Sequence, residues 1–250
     1  MNKLNIVIPM AGLGSRFSKA GYDLPKPLID VCGKPMIEVV VNNLKPQMPH
    51  KFIFICQNEH IKKYGLKELL QRLDDDVEII GIDGITEGQV CTVLKAENLI
   101  DNDSPLMTAN SDQFIDFDIN KYLELASNYD GFIMTMNSND PKWSYAKVDE
   151  SGTVIETAEK KVISNLATVG IFNFKRGKDL VKNAKLMIAD NVRTNNEFYT
   201  CPVYNYLIKG GAKVGVYNIG SEFNGMYGLG TPADLKFFID NAILEKVSKK

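Results

Sequence analysis

Short apolar runs alternate with longer amphipathic segments over residues 1–125, and this alternation constrains the fold more than any other feature. A run without polar positions is typical of a strand that is covered on both faces. Strands that alternate with helices form parallel sheets, so we expect an α/β fold with a doubly wound sheet. The predicted strands lie at 5–10, 52–56, 77–82 and 106–110, and the predicted helices lie at 35–44, 59–73 and 88–99.

Residues 126–250 carry more strand patterns than the first half, and they make the predicted sheet mixed, although mainly parallel. No linker, repeat or low-complexity segment separates the two halves. We therefore expect one domain over residues 1–250, built from the halves 1–125 and 126–250. The predicted strands of the second half lie at 132–136, 145–149, 154–157, 166–174 and 214–217, and its helices lie at 177–188, at 198–209 and from Pro232.

The strongest functional signal follows the first strand, where Gly12 and Gly14 let the backbone turn back sharply. The N–H groups of such a turn form a hollow that binds anions. Arg16 can fork onto phosphate oxygens. Lys26 lies between two prolines, each of which holds its φ angle, so its charge is carried on a stiffened loop. The segment therefore predicts a polyphosphate site.

Three other interpretations of this segment are weaker. A dinucleotide-binding G-x-G-x-x-G motif needs a glycine where Phe17 stands. A P-loop that ends in Gly33 and Lys34 needs a glycine where Leu28 stands. An ordinary glycine turn after a strand does not account for the arginine and the flanked lysine that follow.

Three strings at the start of the chain resemble the opening of the nucleotidylyltransferases, which include the enzymes that activate sugar 1-phosphates with nucleoside triphosphates. The resemblance continues over nearly the whole chain. It implies a Rossmann-like, GT-A-like fold in which residues 1–125 bind the nucleotide and residues 126–250 bind the acceptor. The strings are Gly12-Leu13-Gly14-Ser15-Arg16, Pro25-Lys26-Pro27-Leu28 and Gly33-Lys34-Pro35-Met36.

Within this family, the chain resembles the cytidylyltransferases that act on phosphoglutamine in the biosynthesis of capsular polysaccharide phosphoramidate. This resemblance implies that CTP and L-glutamine phosphate are converted to CDP-L-glutamine and pyrophosphate. A sugar 1-phosphate stays open as the alternative acceptor. A glycosyltransferase that uses Asp116 and Asp118 as a metal motif, and a nucleotide sensor without activity, are the remaining alternatives; Asp118 is better placed to cap a helix that starts at Ile119.

The resemblance implies that the nucleotide lies along the first loop, at the start of the helix after the third strand and at the end of the fourth strand. Gly88 permits a close approach, and Gln89 can donate and accept hydrogen bonds to a pyrimidine edge. Arg16, Lys26 and Lys160 are the implied catalytic cations. The implied nucleotide-binding residues are Met10, Ala11, Gly12, Gly14, Ser15, Gly88, Gln89, Ser111 and Asp112.

Mg²⁺ is the cofactor that this chemistry predicts, and Asp112 follows a buried strand at the expected ligand edge of the sheet. The resemblance implies that it binds the metal. The sugar enzymes carry a second acidic or amide ligand where this chain has Gly228. Asp234 can supply the carboxylate instead, or it can serve as the capping partner of Thr231, and both interpretations stay open.

Glu159 and Lys160 match the family's Glu-Lys pair. The resemblance implies that this pair binds the acceptor, with Lys160 on the acceptor phosphate. The sugar enzymes usually have proline next, where this chain has Lys161. The added positive charge would suit an acceptor with its own carboxylate, such as an amino acid; a solvated charge run is the alternative. Further along, Arg193 can fork onto an α-carboxylate and Glu197 can meet an α-ammonium. The remaining implied substrate-binding residues are Tyr145 and Asn165.

Composition limits the classes of partner that this chain is expected to bind. The formal net charge of −2 argues against nucleic acid as a partner. No apolar stretch is long enough to span a bilayer, which argues against a membrane protein. The four cysteines have neither zinc spacing nor a disulfide framework, so we expect reduced thiols and a cytoplasmic location. The expected partners are small-molecule substrates, and the oligomeric state stays open.

Overall fold

The computed structural model describes residues 3–248, with side chains from 3 to 245. Besides strands and α-helices, it contains two short 3₁₀ segments, Lys26–Leu28 and Leu94–Ala96. The strands are β1 Leu4–Pro9, β2 Asp30–Val31, β3 Lys34–Pro35, β4 His50–Gln57, β5 Val77–Ile82, β6 Leu106–Ala109, β7 Gln113–Ile115, β8 Gly131–Asn137, β9 Ser144–Val148, β10 Val154–Glu159, β11 Leu166–Phe174, β12 Val214–Glu222 and β13 Gly225–Gly228. The helices are α1 Ser15–Lys19, α2 Met36–Leu44, α3 Asn58–Tyr64, α4 Leu66–Gln71, α5 Gln89–Val93, α6 Glu97–Ile100, α7 Ile119–Ala126, α8 Gly177–Ala189, α9 Val203–Lys209, α10 Pro232–Asp240 and α11 Ile243–Ser248.

One mixed sheet organises both halves of the chain, in the order β5-β4-β1-β6-β11-β8-β12-β13-β7. β1 is parallel to β4 and β6, and β4 is parallel to β5. β11 runs antiparallel to its neighbours β6 and β8. The expected α/β fold with a mainly parallel mixed sheet is therefore confirmed.

Both faces of the sheet are covered, as an apolar run without polar positions requires. Ile6 and Ile8 of β1 pack into one hydrophobic cluster, and Val7 between them packs into a second cluster. Successive side chains of a strand point to opposite faces, so the two clusters lie on the two sides of the sheet. This burial holds the carboxyl ends of the strands in place, and the functional loops follow those ends.

Three predicted helices differ from the observed ones. The helix predicted at 88–99 is divided into α5 and α6 by the 3₁₀ segment Leu94–Ala96. The helix predicted at 59–73 is divided into α3 and α4 at Gly65, which has a φ of 60°. The helix predicted at 198–209 begins only at Val203. The backbone of Phe198 is used otherwise: its N–H donates to the carbonyl oxygen of Glu87, and its own carbonyl oxygen accepts from the N–H of Val90. Tertiary pairing thus outweighs the helical pattern there.

β7 and β13 were not predicted, and they position part of the cleft described below. They pair antiparallel, with Gln113 opposite Gly228. The chain that leaves β6 therefore crosses to the far end of the sheet, next to a segment more than a hundred residues later. The N–H of Leu229 donates to the carbonyl oxygen of Asp112 at 2.8 Å, which holds the two loops together.

The described part of the chain contains no helix with the length and apolar character needed to cross a membrane. The four cysteines are free thiols. Cys56 and Cys201 are buried, and burial raises the pKa of the Cys56 thiol to about 12. Neither buried thiol is therefore a reactive group at neutral pH.

Candidate active site

A cleft of about 680 Å³ lies beyond the carboxyl ends of β1 and β6 and is lined by both halves of the chain. This is the edge at which open α/β sheets bind ligands. The cleft brings together eight of the residues that the sequence predicted, drawn from positions more than two hundred residues apart. They are Arg16, Lys26, Gln89, Ser111, Asp112, Glu159, Lys160 and Asp234.

The glycine turn leads into α1, and Gly14 has a left-handed φ of 60° at the residue before this helix. A side chain at Gly14 would press on Lys26, whose Cβ lies 3.3 Å from the position of an added Cβ. Glycine therefore lets the loop that carries Lys26 pack directly on the turn. Gly12 and Ser15 are exposed on the same turn.

Met10 and Ala11 are buried beneath this turn. The N–H of Met10 donates to the carbonyl oxygen of Ile55, and the carbonyl oxygen of Ala11 accepts from the side-chain amide of Gln57 at 2.6 Å. These bonds hold the end of β1 against the end of β4. In this structure Met10 and Ala11 pack beneath the turn and hold it in place.

Lys26 and Asp112 form an ion pair in the cleft, with 2.8 Å between Nζ and Oδ2. Each side chain is about one quarter exposed, so the pair is partly shielded from water. It joins the predicted phosphate-binding lysine to the predicted metal-binding aspartate. Both groups are charged and can exchange this partner for a phosphate and a cation, respectively.

Gly228 and Gly230 leave space for two carboxylates. An added Cβ on Gly230 would lie 2.6 Å from Oδ2 of Asp112, and one on Gly228 would lie 3.5 Å from Oδ2 of Asp234. Asp234 also has the predicted capping geometry, because its N–H donates to Oγ1 of Thr231 at 3.1 Å and its Oδ2 accepts from that hydroxyl at 2.7 Å. Asp234 therefore makes the capping contact and also lines the cleft.

The two carboxylates fit a magnesium ion that is shared with substrate. The described residues hold no group of three or more His, Cys, Asp or Glu side chains that could bind a metal by themselves. Mg²⁺ is commonly held by one or two carboxylates, with phosphate oxygens and water completing its shell. Asp112 and Asp234 supply hard oxygen ligands of that kind and number.

We expect Gly230→Ala to lower kcat/KM by roughly tenfold or more, because the new methyl group must displace the Asp112 carboxylate and misplaced catalytic groups are costly. The measurement is pyrophosphate release at saturating Mg²⁺. Gly228→Ala is the matched control, since its Cβ would make an ordinary contact at 3.5 Å. Equal effects of the two substitutions would contradict this explanation.

Glu159 ends β10 inside the cleft, and Lys160 follows it directly. Lys160 has a left-handed φ of 52°, and its N–H donates to the carbonyl oxygen of Trp143 at 3.1 Å. Its Nζ donates to the hydroxyl of Tyr199 at 2.7 Å. Glu159 accepts from the hydroxyl of Ser144 at 2.6 Å. Burial raises the pKa of Glu159, and the contacts with Ser144 and Lys160 only partly offset it.

Tyr199 links this pair to the loop that precedes α9. Burial raises the pKa of the Tyr199 phenol, and so do its hydrogen bond to Glu197 and the nearby carboxylate of Glu159. The phenol is therefore a neutral hydrogen-bonding group at physiological pH. It holds the ammonium group of Lys160 at a defined place on the cleft wall, and Glu197 acts through it from an exposed position.

Five predicted acceptor residues lie outside the cleft lining, among them Glu197, which acts only through Tyr199. Arg193 forms an ion pair with Glu87 at 2.5 Å and packs over the ring of Phe198. The side chain of Tyr145 is fully buried, and its hydroxyl donates to the carbonyl oxygen of Asp140 at 2.8 Å. The other two, Lys161 and Asn165, are exposed at the surface.

Gly88 permits a close approach, but the group that approaches it is the backbone of Phe198. The φ of Gly88 is 136°, and an added Cβ would lie 2.4 Å from the backbone nitrogen of Phe198. The glycine therefore allows the loop before α9 to pack on the start of α5. Gln89, the next residue, lines the cleft and donates to Oδ1 of Asn110 at 2.5 Å.

Sequence reasoning missed several residues that line the cleft, and Gln113 is the most informative. Its side chain is 2% exposed, and neither its amide oxygen nor its amide nitrogen has a hydrogen-bond partner within the described residues. Buried polar groups are nearly always paired, so this amide lacks a partner that a ligand could supply. A glutamine directly after Asp112 was the available signal. Other missed residues include Lys142, Trp143, Ser144 and Glu222.

We expect Gln113→Met to raise the free energy of unfolding by about 1 kcal/mol, because it removes an unpaired buried amide while keeping its shape. The same change is expected to lower kcat/KM by about tenfold, the effect of losing one hydrogen bond of about 1.4 kcal/mol to substrate. Urea unfolding and pyrophosphate release measure the two effects.

Thr108→Val is the matched control for Gln113→Met. Thr108 is a buried strand residue with an unpaired hydroxyl, and it lies outside the cleft lining. This variant should gain stability without a change in activity. A Gln113→Met variant with unchanged activity would show that the amide does not contact substrate.

Comparison with known proteins agrees with this geometry. A family model described as nucleotidyl transferase matches residues 6–204. The protein named "Bifunctional protein GlmU" from Lactobacillus gasseri is 30% identical over 241 residues, which cover 88% of this chain and 47% of that protein. The protein of the same name from Methanocaldococcus jannaschii is 22% identical over 188 residues, which cover 73% and 43% of the two chains. The chain spans about half the length of the curated relatives it matches.

Two solved structures extend the comparison. A nucleoside-diphosphate-sugar pyrophosphorylase from Vibrio cholerae RC9 superposes with a TM-score of 0.81 at 27% identity, covering 94% of this chain and 99% of that one. An inositol-1-phosphate CTP transferase from T. maritima has a TM-score of 0.73 at 14% identity over 100% and 96% of the two chains, a likeness of fold alone. Because the family model covers most of the chain, and because the predicted arginine, carboxylates and lysines meet in one cleft, the chain belongs to the nucleotidyl transferase family.

Proposed function

We propose that this chain is a Mg²⁺-dependent cytidylyltransferase that joins CTP to L-glutamine phosphate, giving CDP-L-glutamine and pyrophosphate, in capsular polysaccharide phosphoramidate biosynthesis. Family membership supports nucleotidyl transfer to a phosphorylated small molecule. The observation that carries the finer proposal is the charge of the acceptor side of the cleft. Two lysines and two glutamates line it, which suits an acceptor with both charges of an amino acid better than a neutral sugar ring. They are Lys142, Lys160, Glu159 and Glu222.

In the proposed reaction an oxygen of the acceptor phosphate attacks the α-phosphorus of CTP. A new P–O bond forms as the bond to the bridging β-phosphate oxygen breaks, and that oxygen leaves with its electron pair as pyrophosphate. Both reactants are anions, so catalysis consists mainly of positioning and charge neutralisation. We assign the triphosphate to Arg16, Lys26 and the glycine turn, and the acceptor phosphate to Lys160.

Asp112 and Asp234 would hold the magnesium ion. When bound, Mg²⁺ supplies positive charge that stabilises the charge developing on the phosphate oxygens. Lys26 would then leave Asp112 and donate to a phosphate oxygen of the nucleotide. The present 2.8 Å contact supports this exchange, because it keeps Lys26 within reach of the same place.

The preference for cytosine draws support from Gln89. The amide nitrogen of Gln89 donates to Asn110, which leaves its carbonyl oxygen free to accept from a base. Cytosine carries an amino donor where uracil carries a carbonyl acceptor, so an accepting group favours cytosine. We assign the base to this part of the cleft together with Ser111 and the residues of the glycine turn.

The second candidate is a sugar-1-phosphate nucleotidylyltransferase, which forms an NDP-sugar and pyrophosphate. The Vibrio cholerae structure, called a nucleoside-diphosphate-sugar pyrophosphorylase, favours it. It keeps the same nucleotide site and metal and changes only the acceptor.

The two candidates are separated by a matrix of four NTPs against L-glutamine phosphate and a panel of sugar 1-phosphates, with pyrophosphate release as the readout. The proposal expects the highest kcat/KM for CTP with L-glutamine phosphate. A higher kcat/KM for any sugar 1-phosphate would replace it with the second candidate. Binding of CTP without pyrophosphate release for any acceptor would show a nucleotide sensor.

A further inference from the structure

An ion pair in the cleft is not used by any step of the proposed transfer. Lys142 lies in the loop between β8 and β9, and Glu222 ends β12. The Nζ of Lys142 donates to both carboxylate oxygens of Glu222, at 2.8 and 3.1 Å. Oδ2 of Asp140 lies 3.4 Å from the same nitrogen. Two carboxylates therefore face one ammonium group, and the cluster keeps a net negative charge that attracts a second cation.

Trp143, beside this pair, has an unused donor. Its indole nitrogen is buried and has no hydrogen-bond partner within the described residues, although the side chain lines the cleft. The ammonium group of Lys142 lies 4.9 Å from the centre of the ring and covers it. An unpaired buried donor destabilises the fold, and a hydrogen bond to a ligand would remove that cost. The indole N–H lies at the edge of the ring, where it can donate to an anionic or carbonyl oxygen of a ligand in the cleft.

This cluster adjoins the residue that we assign to the acceptor phosphate. The carbonyl oxygen of Trp143 accepts from the N–H of Lys160 at 3.1 Å, and Ser144 donates to Glu159. A phosphorylated molecule held by Lys160 can therefore extend toward Glu222 and Trp143. A compact acceptor with charged groups at the end away from its phosphate would reach both.

We infer that Glu222, Lys142 and Trp143 recognise the α-amino and α-carboxyl groups of the acceptor, an inference that rests on the proposed function. The α-ammonium replaces Lys142 at Glu222. The released Lys142 and the indole N–H of Trp143 then bind the α-carboxylate. Each charge that is separated finds an opposite charge on the ligand, so the exchange conserves ion pairing. A sugar ring has no charges to offer and would leave the original pair closed.

The residues that the sequence predicted for this task are placed differently. Arg193 is paired with Glu87 and stacked on Phe198, and neither Lys161 nor Glu197 lines the cleft. Lys142 and Glu222 have the same two charges and line the cleft. The loop between β8 and β9 and the end of β12 would therefore select the acceptor.

The test compares wild type with Glu222→Gln, using L-glutamine phosphate and an analogue that lacks the α-amino group. Loss of one charge-assisted hydrogen bond is expected to raise the KM for L-glutamine phosphate about 10- to 100-fold, with the KM for CTP unchanged. The preference of wild type for the intact acceptor over the analogue should fall by the same factor. Trp143→Phe keeps the ring and removes the N–H, and it should raise the same KM by a smaller factor.

Glu156→Gln is the matched control, because Glu156 is an exposed carboxylate on β10 outside the cleft lining. If wild type prefers the intact acceptor and both Glu222→Gln and Trp143→Phe keep that preference and the KM, the inference is overturned while the proposed function stands. If wild type turns over sugar 1-phosphates and not L-glutamine phosphate, the proposed function fails, and this assignment fails with it.

Discussion

Replacing Lys160 with methionine is expected to lower kcat/KM by about 10²- to 10³-fold, the usual cost of losing one group that stabilises transition-state charge. Lys160 directly follows β10 in the cleft, and the hydroxyl of Tyr199 holds its ammonium group at 2.7 Å. Methionine keeps the length and the apolar stem of the side chain and removes only the charge. The left-handed backbone at this position is as accessible to methionine as to lysine. Pyrophosphate release with the preferred substrate pair is the measurement.

Lys147→Met is the control for this experiment, since Lys147 is exposed on β9 outside the cleft lining. Both variants should unfold within about 2 °C of wild type, because surface charge changes usually cost less than about 0.5 kcal/mol. Lys160→Arg keeps the charge and should recover part of the activity. If Lys160→Met retains wild-type turnover, the acceptor phosphate does not bind there.

Asp112→Asn is expected to raise the Mg²⁺ concentration for half-maximal activity by about 10²-fold or more. Changes at residues that only support metal ligands already cost 10–100-fold in affinity, and Asp112 is assigned as a ligand itself. Asparagine has the same shape, and the loop is held by the backbone oxygen of Asp112, which accepts from Leu229. The variant should therefore fold normally and bind metal poorly. A Mg²⁺ titration of pyrophosphate release measures the shift.

Asp234→Asn tests the second carboxylate in the same titration. The asparagine side chain keeps an oxygen that can accept from Thr231, so the helix cap is preserved while the charge is removed. A raised Mg²⁺ requirement with an unchanged Tm would identify a metal ligand that also caps. Asp118→Asn is the control, because Asp118 caps α7 at a distance from the metal and asparagine caps equally well. An unchanged Mg²⁺ requirement in both Asp112→Asn and Asp234→Asn would contradict the proposed metal site.

The parts of the fold that could be predicted depend on short stretches of chain. β1, β4, β5 and β6 were found because an apolar run and its flanking breaks lie within about ten residues. The predicted cap of α7 by Asp118 is confirmed, with Oδ1 accepting from the N–H of Asn120 at 2.9 Å. The start of α9 was wrong because Phe198 pairs with Glu87, a partner more than a hundred residues away.

The candidate site likewise has parts that the sequence predicts and parts that depend on tertiary contacts. By itself, the sequence determined the glycine turn, the flanked lysine and the carboxylate at a strand end, since glycine, proline and a strand terminus act locally. Only the tertiary structure decided which charges face the acceptor. Lys160 lines the cleft and Lys161 does not, although they are neighbours in the chain. Lys142 meets Glu222 because β8 pairs with β12, with Asn137 opposite Ser221. The direction of a side chain and the identity of its distant neighbour follow from strand pairing, which no local pattern contains.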